Sequence, residues 1–133
     1  MSAERLTYLD SSAIVKLAVL EPESGALRAR LRRRHGLVSS RLATAEVVRA
    51  LWPLGEAAVR RGHQALDQID LLRVNDRILD DAAGLPPQEL RTLDAIHLAT
   101  AQLLGGELRL LITYDERMAD AARQLGLSVA APS

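Results

Sequence analysis

Five short apolar runs, spread along the chain and separated by segments of helical period, restrict the fold more than any other feature of this sequence. The runs are Leu6–Leu9 (LTYL), Leu37–Ser40 (LVSS), Leu71–Val74 (LLRV), Leu108–Thr113 (LRLLIT) and Leu127–Ala131 (LSVAA). Between them lie helix-patterned segments: Ser11–Leu20, with Ser11 or Ser12 as cap; Pro22 to Gly36; Arg41–Leu54, with Ser39 or Ser40 as cap and Pro53 interrupting or ending it; and Glu56–Ile69. Three more follow, at Asn75–Leu85, Leu90–Leu104 and Asp115–Gly126. Strands alternating with helices predict an α/β fold, a parallel sheet covered on both faces. No internal repeat, low-complexity tract or linker interrupts the pattern, so residues 1–133 are expected to form a single domain.

Composition removes several classes. Apolar residues make up 48% of the chain, enough for a packed core. No apolar run is long enough to span a bilayer, and the opening MSAERLTYLD lacks the pattern of a signal peptide, so no membrane association and a cytoplasmic location are expected. The absence of cysteine excludes thiolate metal sites, disulfides and cysteine nucleophiles. Seventeen basic and 17 acidic residues cancel, which argues against a strong non-specific grip on nucleic acid. The local exception is LRARLRRRHG, an arginine strip from Arg28 to Arg34 that reads as a solvated helix face or as a phosphate-contacting surface. With Tyr8, Trp52 and Tyr114 as the only aromatics, base stacking is not a probable mode of recognition.

Four carboxylates have informative positions. Asp10 directly follows the first strand, Asp115 lies just past the fourth, and Glu46 sits early in the helix after the second. Strand-to-helix junctions of a right-handed parallel α/β sheet share one edge, so these three face the same side. Asp94 falls in the first turn of an otherwise apolar helix, LRTLDAIHLATAQLL, which no strand immediately precedes; pattern alone does not bring it to that edge. Singly, each acid has a structural reading. Asp10 and Asp115 can cap helices, Asp94 can answer a helix dipole behind Thr92, and Glu46 can pair with Arg49. Together they repel, and a hard divalent cation such as Mg²⁺ or Mn²⁺ relieves that repulsion.

The segments YLDSSAIVKL, TAEVVRAL, LRTLDAIHLATA and LLITYDERMADAARQLGLSV resemble PIN domains, and within them the VapC-type toxins of bacterial toxin–antitoxin pairs. The resemblance covers almost the whole chain. It implies a PIN-like three-layer α/β/α sandwich on a five-stranded parallel sheet of order 3-2-1-4-5, which would carry Asp94 to the carboxyl edge. An acidic tetrad of Asp10, Glu46, Asp94 and Asp115 is likewise implied as catalytic. Asp10, Asp94 and Asp115 would be metal ligands, Glu46 would ligate a second metal or act through water, and Ser11 and Thr113 would support the acids by hydrogen bonds. The implied activity is endoribonucleolytic hydrolysis dependent on Mg²⁺ or Mn²⁺, leaving a 5′-phosphate and a 3′-hydroxyl. The implied partners are an RNA substrate, a small VapB-type antitoxin and a second copy of the chain in a homodimer. A basic antitoxin side chain is expected to plug the cleft, with the rest of its tail lying near Val48 and Trp52.

Other residues are read more plainly. His35, His63 and His97 give no pairing that suggests a metal-independent ribonuclease, and His97 is expected to be packed or solvent-facing. Lys16 is expected to be an ordinary surface lysine, and Trp52 to pack in a helix interface, within the chain or against the antitoxin. A receiver domain shares the α/β pattern, but it needs a lysine after the last strand and the chain has none beyond Lys16. The remaining alternative is a non-catalytic RNA-binding or adaptor module built on Arg28–Arg34, which would bind without metal and survive loss of Asp94.

Overall fold

The computed structural model describes residues 5–32 and 36–133. Strands β1 (Leu6–Leu9), β2 (Leu37–Ser40), β3 (Asp70–Leu72), β4 (Leu108–Ile112) and β5 (Val129–Ala130) form one five-stranded sheet. All pairings are parallel and the spatial order is β3-β2-β1-β4-β5. Helices α1 (Ser11–Ala18), α2 (Ser24–Leu31), α3 (Ala43–Leu51), α4 (Glu56–Asp67), α5 (Asp76–Ala83), α6 (Thr92–Leu103) and α7 (Glu116–Gln124) fill the connections. The expected architecture is therefore the observed one.

Alternation along the strands divides the core between two faces. Leu9, Leu110 and Ile112 pack with Ile14, Leu27, Val47 and Leu51 on one side. Their neighbours Tyr8 and Leu111 pack with Leu98, Met118 and Ala122 on the other. With both faces covered, most positions of the central strands are buried, so these strands read as largely apolar runs, with Arg109 of β4 left exposed.

Several boundaries differ from the sequence reading. The second helix begins at Ser24 rather than Pro22, because the Ser24 hydroxyl accepts from the Glu21 amide and donates to the Lys16 and Val19 carbonyls. Residues 19–23 are thereby held as a turn that closes the end of α1. Pro53 ends α3 as expected; the chain passes through one 3₁₀ turn, Trp52–Leu54, before α4. β3 starts one residue earlier than expected and stops at Leu72, where its carbonyl accepts from the Arg41 amide. Ser39 and Ser40 do not cap α3 directly. Ser40 instead accepts from the Leu42 amide in the turn before it, and α3 starts without a side-chain cap.

The order β3-β2-β1-β4-β5 reverses direction at β1. The chain moves outward from β1 through β2 to β3, then returns to lay β4 on the other side of β1. That switch point opens a crevice at the carboxyl ends of β1 and β4, where α/β sheets hold ligands. α6 joins β4 through a short 3₁₀ turn, Gly105–Glu107. A helix so joined must run back against the strand that follows, which puts its first turn at the same edge.

Gly62 sets how closely α4 lies on α3. A Cβ there would meet Leu51 Cδ1 at 2.5 Å and Val47 Cγ1 at 3.5 Å, and both side chains are fully buried. Overpacking of this kind costs ~1–3 kcal/mol, whereas exchanging a helical glycine for alanine returns ~1 kcal/mol. Gly62→Ala should therefore lower stability in urea denaturation, by up to ~2 kcal/mol. A gain matching the helix propensity alone would show that the α3–α4 contact is loose.

Candidate active site

Asp10 is the deepest of the four acids, 4% exposed at the end of the central strand. Its Oδ1 accepts from the Ser12 hydroxyl at 2.6 Å and from the Ala13 amide at 3.0 Å, which caps α1. Asp10, rather than Ser11 or Ser12, is thus the cap. Its Oδ2 accepts a short hydrogen bond from Thr113 Oγ1 at the end of β4. Thr113 Oγ1 accepts in turn from the Asp115 amide, and Ser12 Oγ from the Tyr114 amide. These bonds tie the end of β1 to the segment after β4 at the floor of the crevice. Burial pushes the Asp10 carboxyl up, and the three donors only partly offset it.

Glu46 does not pair with Arg49 as the helical spacing allows; Arg49 lies over the Trp52 ring instead. Glu46 Oε1 accepts from Ser11 Oγ at 2.6 Å and bonds His97 Nε2 at 2.6 Å, and His97 Nδ1 lies 2.7 Å from the Tyr8 hydroxyl. A carboxylate only accepts, so the network assigns a proton to Nε2, and a neutral ring then accepts from Tyr8 at Nδ1. Burial would raise the Glu46 carboxyl, but the bonds from His97 and Ser11 outweigh it and hold it low. His97, 1% exposed, is a packed residue, and it is also the group that orients Glu46.

Asp94 and Asp115 are held differently. Arg91, just before α6, reaches Asp94 Oδ2 with Nε at 3.3 Å and Asp115 Oδ2 with Nη2 at 2.9 Å. Asp115 Oδ1 caps α7 by accepting from the Arg117 and Met118 amides. Burial, and then the charge of Asp115, pushes the Asp94 carboxyl up against the pull of Arg91.

The four acids come from four separate segments and line one cleft of about 380 Å³, together with Ser11, Ser12, Arg91, Thr92, Leu93 and His97. Thr113 lies behind Asp10. Sequence reading missed Ser12, Tyr8 and Arg91 and undervalued His97. A polar ring inside AIHLATA, where seven consecutive residues of α6 are buried, has to find a polar partner, and that signal was available.

Other expectations resolve outside the cleft. Lys16 is not a free surface lysine; its ammonium sits 2.9 Å from Glu23 and over the Tyr114 ring. Trp52 is not packed in an internal interface but 65% exposed. Of the arginine strip, Arg28 donates to the Leu17 carbonyl at the end of α1, beside Arg61 on Ala18. Arg33, Arg34 and His35 lie outside the described residues. No helix among the described residues is long and apolar enough to cross a membrane.

Comparison with known proteins agrees with this fold. The PIN domain model matches residues 7–124, and the chain belongs to the PIN-domain family. Its place there is among the VapC-type proteins. It is 67% identical over 126 residues to Ribonuclease VapC46 of Mycobacterium tuberculosis, covering 95% of this chain and 97% of that one. It is 40% identical over 131 residues to Ribonuclease VapC35 of the same organism, covering 96% and 97%. Among solved structures, a toxin–antitoxin complex from Klebsiella pneumoniae contains a chain that superposes with a TM-score of 0.72 at 24% identity, covering 96% and 98%. M. tuberculosis VapC20, a sarcin–ricin loop cleaving toxin, superposes at 0.68 and 15%, covering 86% and 94%. At those identities the two structures speak to the fold.

The carboxyl shifts set a pH dependence. Asp10 and Asp94 are raised above their unfolded values, so each costs stability at neutral pH and the cost is relieved as pH falls through the folded value. Glu46 is lowered, so its contribution is lost only at lower pH, through a folded value below the unfolded one. The melting temperature of the metal-free chain should therefore hold or rise on mild acidification before it falls. Asp94→Asn should be no less stable at neutral pH and should shrink that rise. A parallel, monotonic fall in both proteins would contradict the assignment.

Proposed function

We propose that this chain is a Mg²⁺- or Mn²⁺-dependent endoribonuclease, the toxin of a VapBC-type toxin–antitoxin pair. The observation that carries the reading is the convergence of Asp10, Glu46, Asp94 and Asp115 on one cleft in a chain of the VapC type.

The donor set suits a hard cation. Carboxylate oxygens are what Mg²⁺ and Mn²⁺ prefer, and such an ion would relieve the repulsion from Asp115 that adds to burial in raising Asp94. Among the described residues no three acids or histidines close into a ready-made cage. An open arrangement is compatible with Mg²⁺, which keeps several waters and takes one or two carboxylates together with substrate phosphates. Asp10, Asp94 and Asp115 would hold the ion. Bound there, it would lower the pKa of a water and neutralise the phosphate.

The chain's own residues prepare that chemistry. Ser12 and Thr113 fix both oxygens of Asp10, so the carboxylate needs no reorganisation when it is used. Tyr8 and His97 hold Glu46 on the far wall, where it can orient a water by hydrogen bond. Hydrolysis by water does not need the 2′-hydroxyl, so selection of RNA falls to surface shape. The products would carry a 5′-phosphate and a 3′-hydroxyl. A VapB-type antitoxin would silence the cleft with a basic side chain. The exposed Trp52 and Leu54, beside half-buried Val48, offer apolar surface for the rest of its tail. The active form would be a homodimer, as in the family.

The purified chain should cleave RNA with Mg²⁺ or Mn²⁺ and not with EDTA, and its expression alone should arrest growth. Asp10→Asn should lower cleavage by about 10²-fold or more, within the range for a lost electrostatic group at an active site, and relieve the arrest. Equal cleavage by wild type and Asp10→Asn, or full activity in EDTA, would remove the metal-nuclease reading.

A further inference from the structure

Arg91 stands where two hollows meet. One is the acidic cleft, and the other is a groove of about 220 Å³ whose lining includes Pro87, Glu89, Leu90, Arg117, Asp120 and Gln124, with Arg91 and Asp94 in the wall of both. The Arg91 side chain is 65% exposed, while its two partners Asp94 and Asp115 are 15% and 26% exposed. A guanidinium carries five N–H donors in a planar fork, and Arg91 uses only Nε and one Nη2 donor on the carboxylates. The contact to Asp94, at 3.3 Å, is long for a charge-assisted bond.

An exposed pair of this kind adds little to folding stability and exchanges readily. Its electrostatic effect on the site is larger. Arg91 is the only cation in an ion pair with Asp94 or Asp115 among the described residues, and it draws the two acids toward one point. A divalent ion taken up by the same carboxylates brings twice the charge to the same oxygens and outcompetes a partly solvated guanidinium. The side chain then released is anchored at the mouth of the cleft, beside the place a scissile phosphate has to occupy. A planar fork matches phosphate oxygens as well as it matches carboxylates.

We propose that Arg91 is a phosphate-positioning residue, which the metal-free chain holds on Asp94 and Asp115 and a divalent cation releases to the RNA backbone. Uptake of the ion and grip on RNA are then coupled through one side chain. The site offers its cation to the substrate only when its acids are loaded. This inference rests on the metal-nuclease reading above.

The test measures two bindings on the intact chain, with Arg91→Gln, Arg91→Lys and a distant control, Arg77→Gln, whose parent residue pairs with Asp81 on α5. Mg²⁺ binding is read by calorimetry. Binding of a short, labelled single-stranded RNA of mixed sequence is read by anisotropy across a salt series, in EDTA and in Ca²⁺, with RNA integrity checked on a gel. Arg91→Gln should bind Mg²⁺ about two- to fivefold tighter, the range of one exposed pair removed. In EDTA its RNA affinity should match that of Arg77→Gln. In Ca²⁺ it should fall below that control, with the salt slope reduced by about 0.7, the share of one single-strand phosphate. Arg91→Lys, which keeps charge but not the fork, should lie between. RNA affinity of Arg91→Gln equal to that of Arg77→Gln in Ca²⁺, or an equal loss with and without Ca²⁺, would overturn the proposal. If wild type binds neither Mg²⁺ nor Ca²⁺, the metal-nuclease reading itself fails, and this inference falls with it.

Discussion

Asp10 ends the central strand almost without contact with water, and much of the local structure follows from accommodating a carboxyl group there. A carboxylate in that position is costly unless its oxygens are answered by donors. Ser12 and the first turn of α1 answer one oxygen, and Thr113 from β4 answers the other. The same network ties the end of β1 to the segment after β4, because Ser12 and Thr113 also accept from amides of that segment. Removing the carboxylate would leave the buried Thr113 hydroxyl and the half-buried Ser12 hydroxyl without their acceptor.

Around that centre the four acids fall into two kinds. Asp10 and Glu46 are built in: Asp10 is nearly buried and held by hydroxyl and amide donors, and Glu46 is held by Ser11 and the buried His97. Asp94 and Asp115 are held by one exposed arginine and remain available to another cation. A fixed wall and an exchangeable wall suit a site that has to take up an ion and a phosphate without rearranging its core. The structural roles expected of Asp10 and Asp115 as helix caps coexist with this arrangement, because Asp10 caps with one oxygen and Asp115 leaves Oδ2 free of its own helix.

Much of the fold was legible because each strand is short, carries an apolar pair or run and is separated from the next by helix-patterned sequence, and the sheet order agrees with the resemblance. The start of α2 was not, because Pro22 is a favoured first-turn residue and the overriding interaction, Ser24 reaching back to α1, is non-local in pattern. Asp94 was harder than it needed to be. A helix joined to the next strand by four residues has to run against it, which delivers its first turn to the carboxyl edge. His97 could have been read from the unbroken apolar run around it. Arg91 left no signal beyond an acid three residues later, since its second partner, Asp115, is 24 positions away.

The central claim is that these carboxylates hold a hard divalent ion. Crystals of the chain soaked in Mn²⁺ and measured for anomalous scattering test it directly, since manganese is located without reference to activity. A peak is expected within bonding distance of carboxylate oxygens of Asp10 and Asp94 or Asp115, with the Arg91 guanidinium displaced from both of its partners. A well-ordered site with no peak, or manganese bound only at acids outside the cleft, would contradict it.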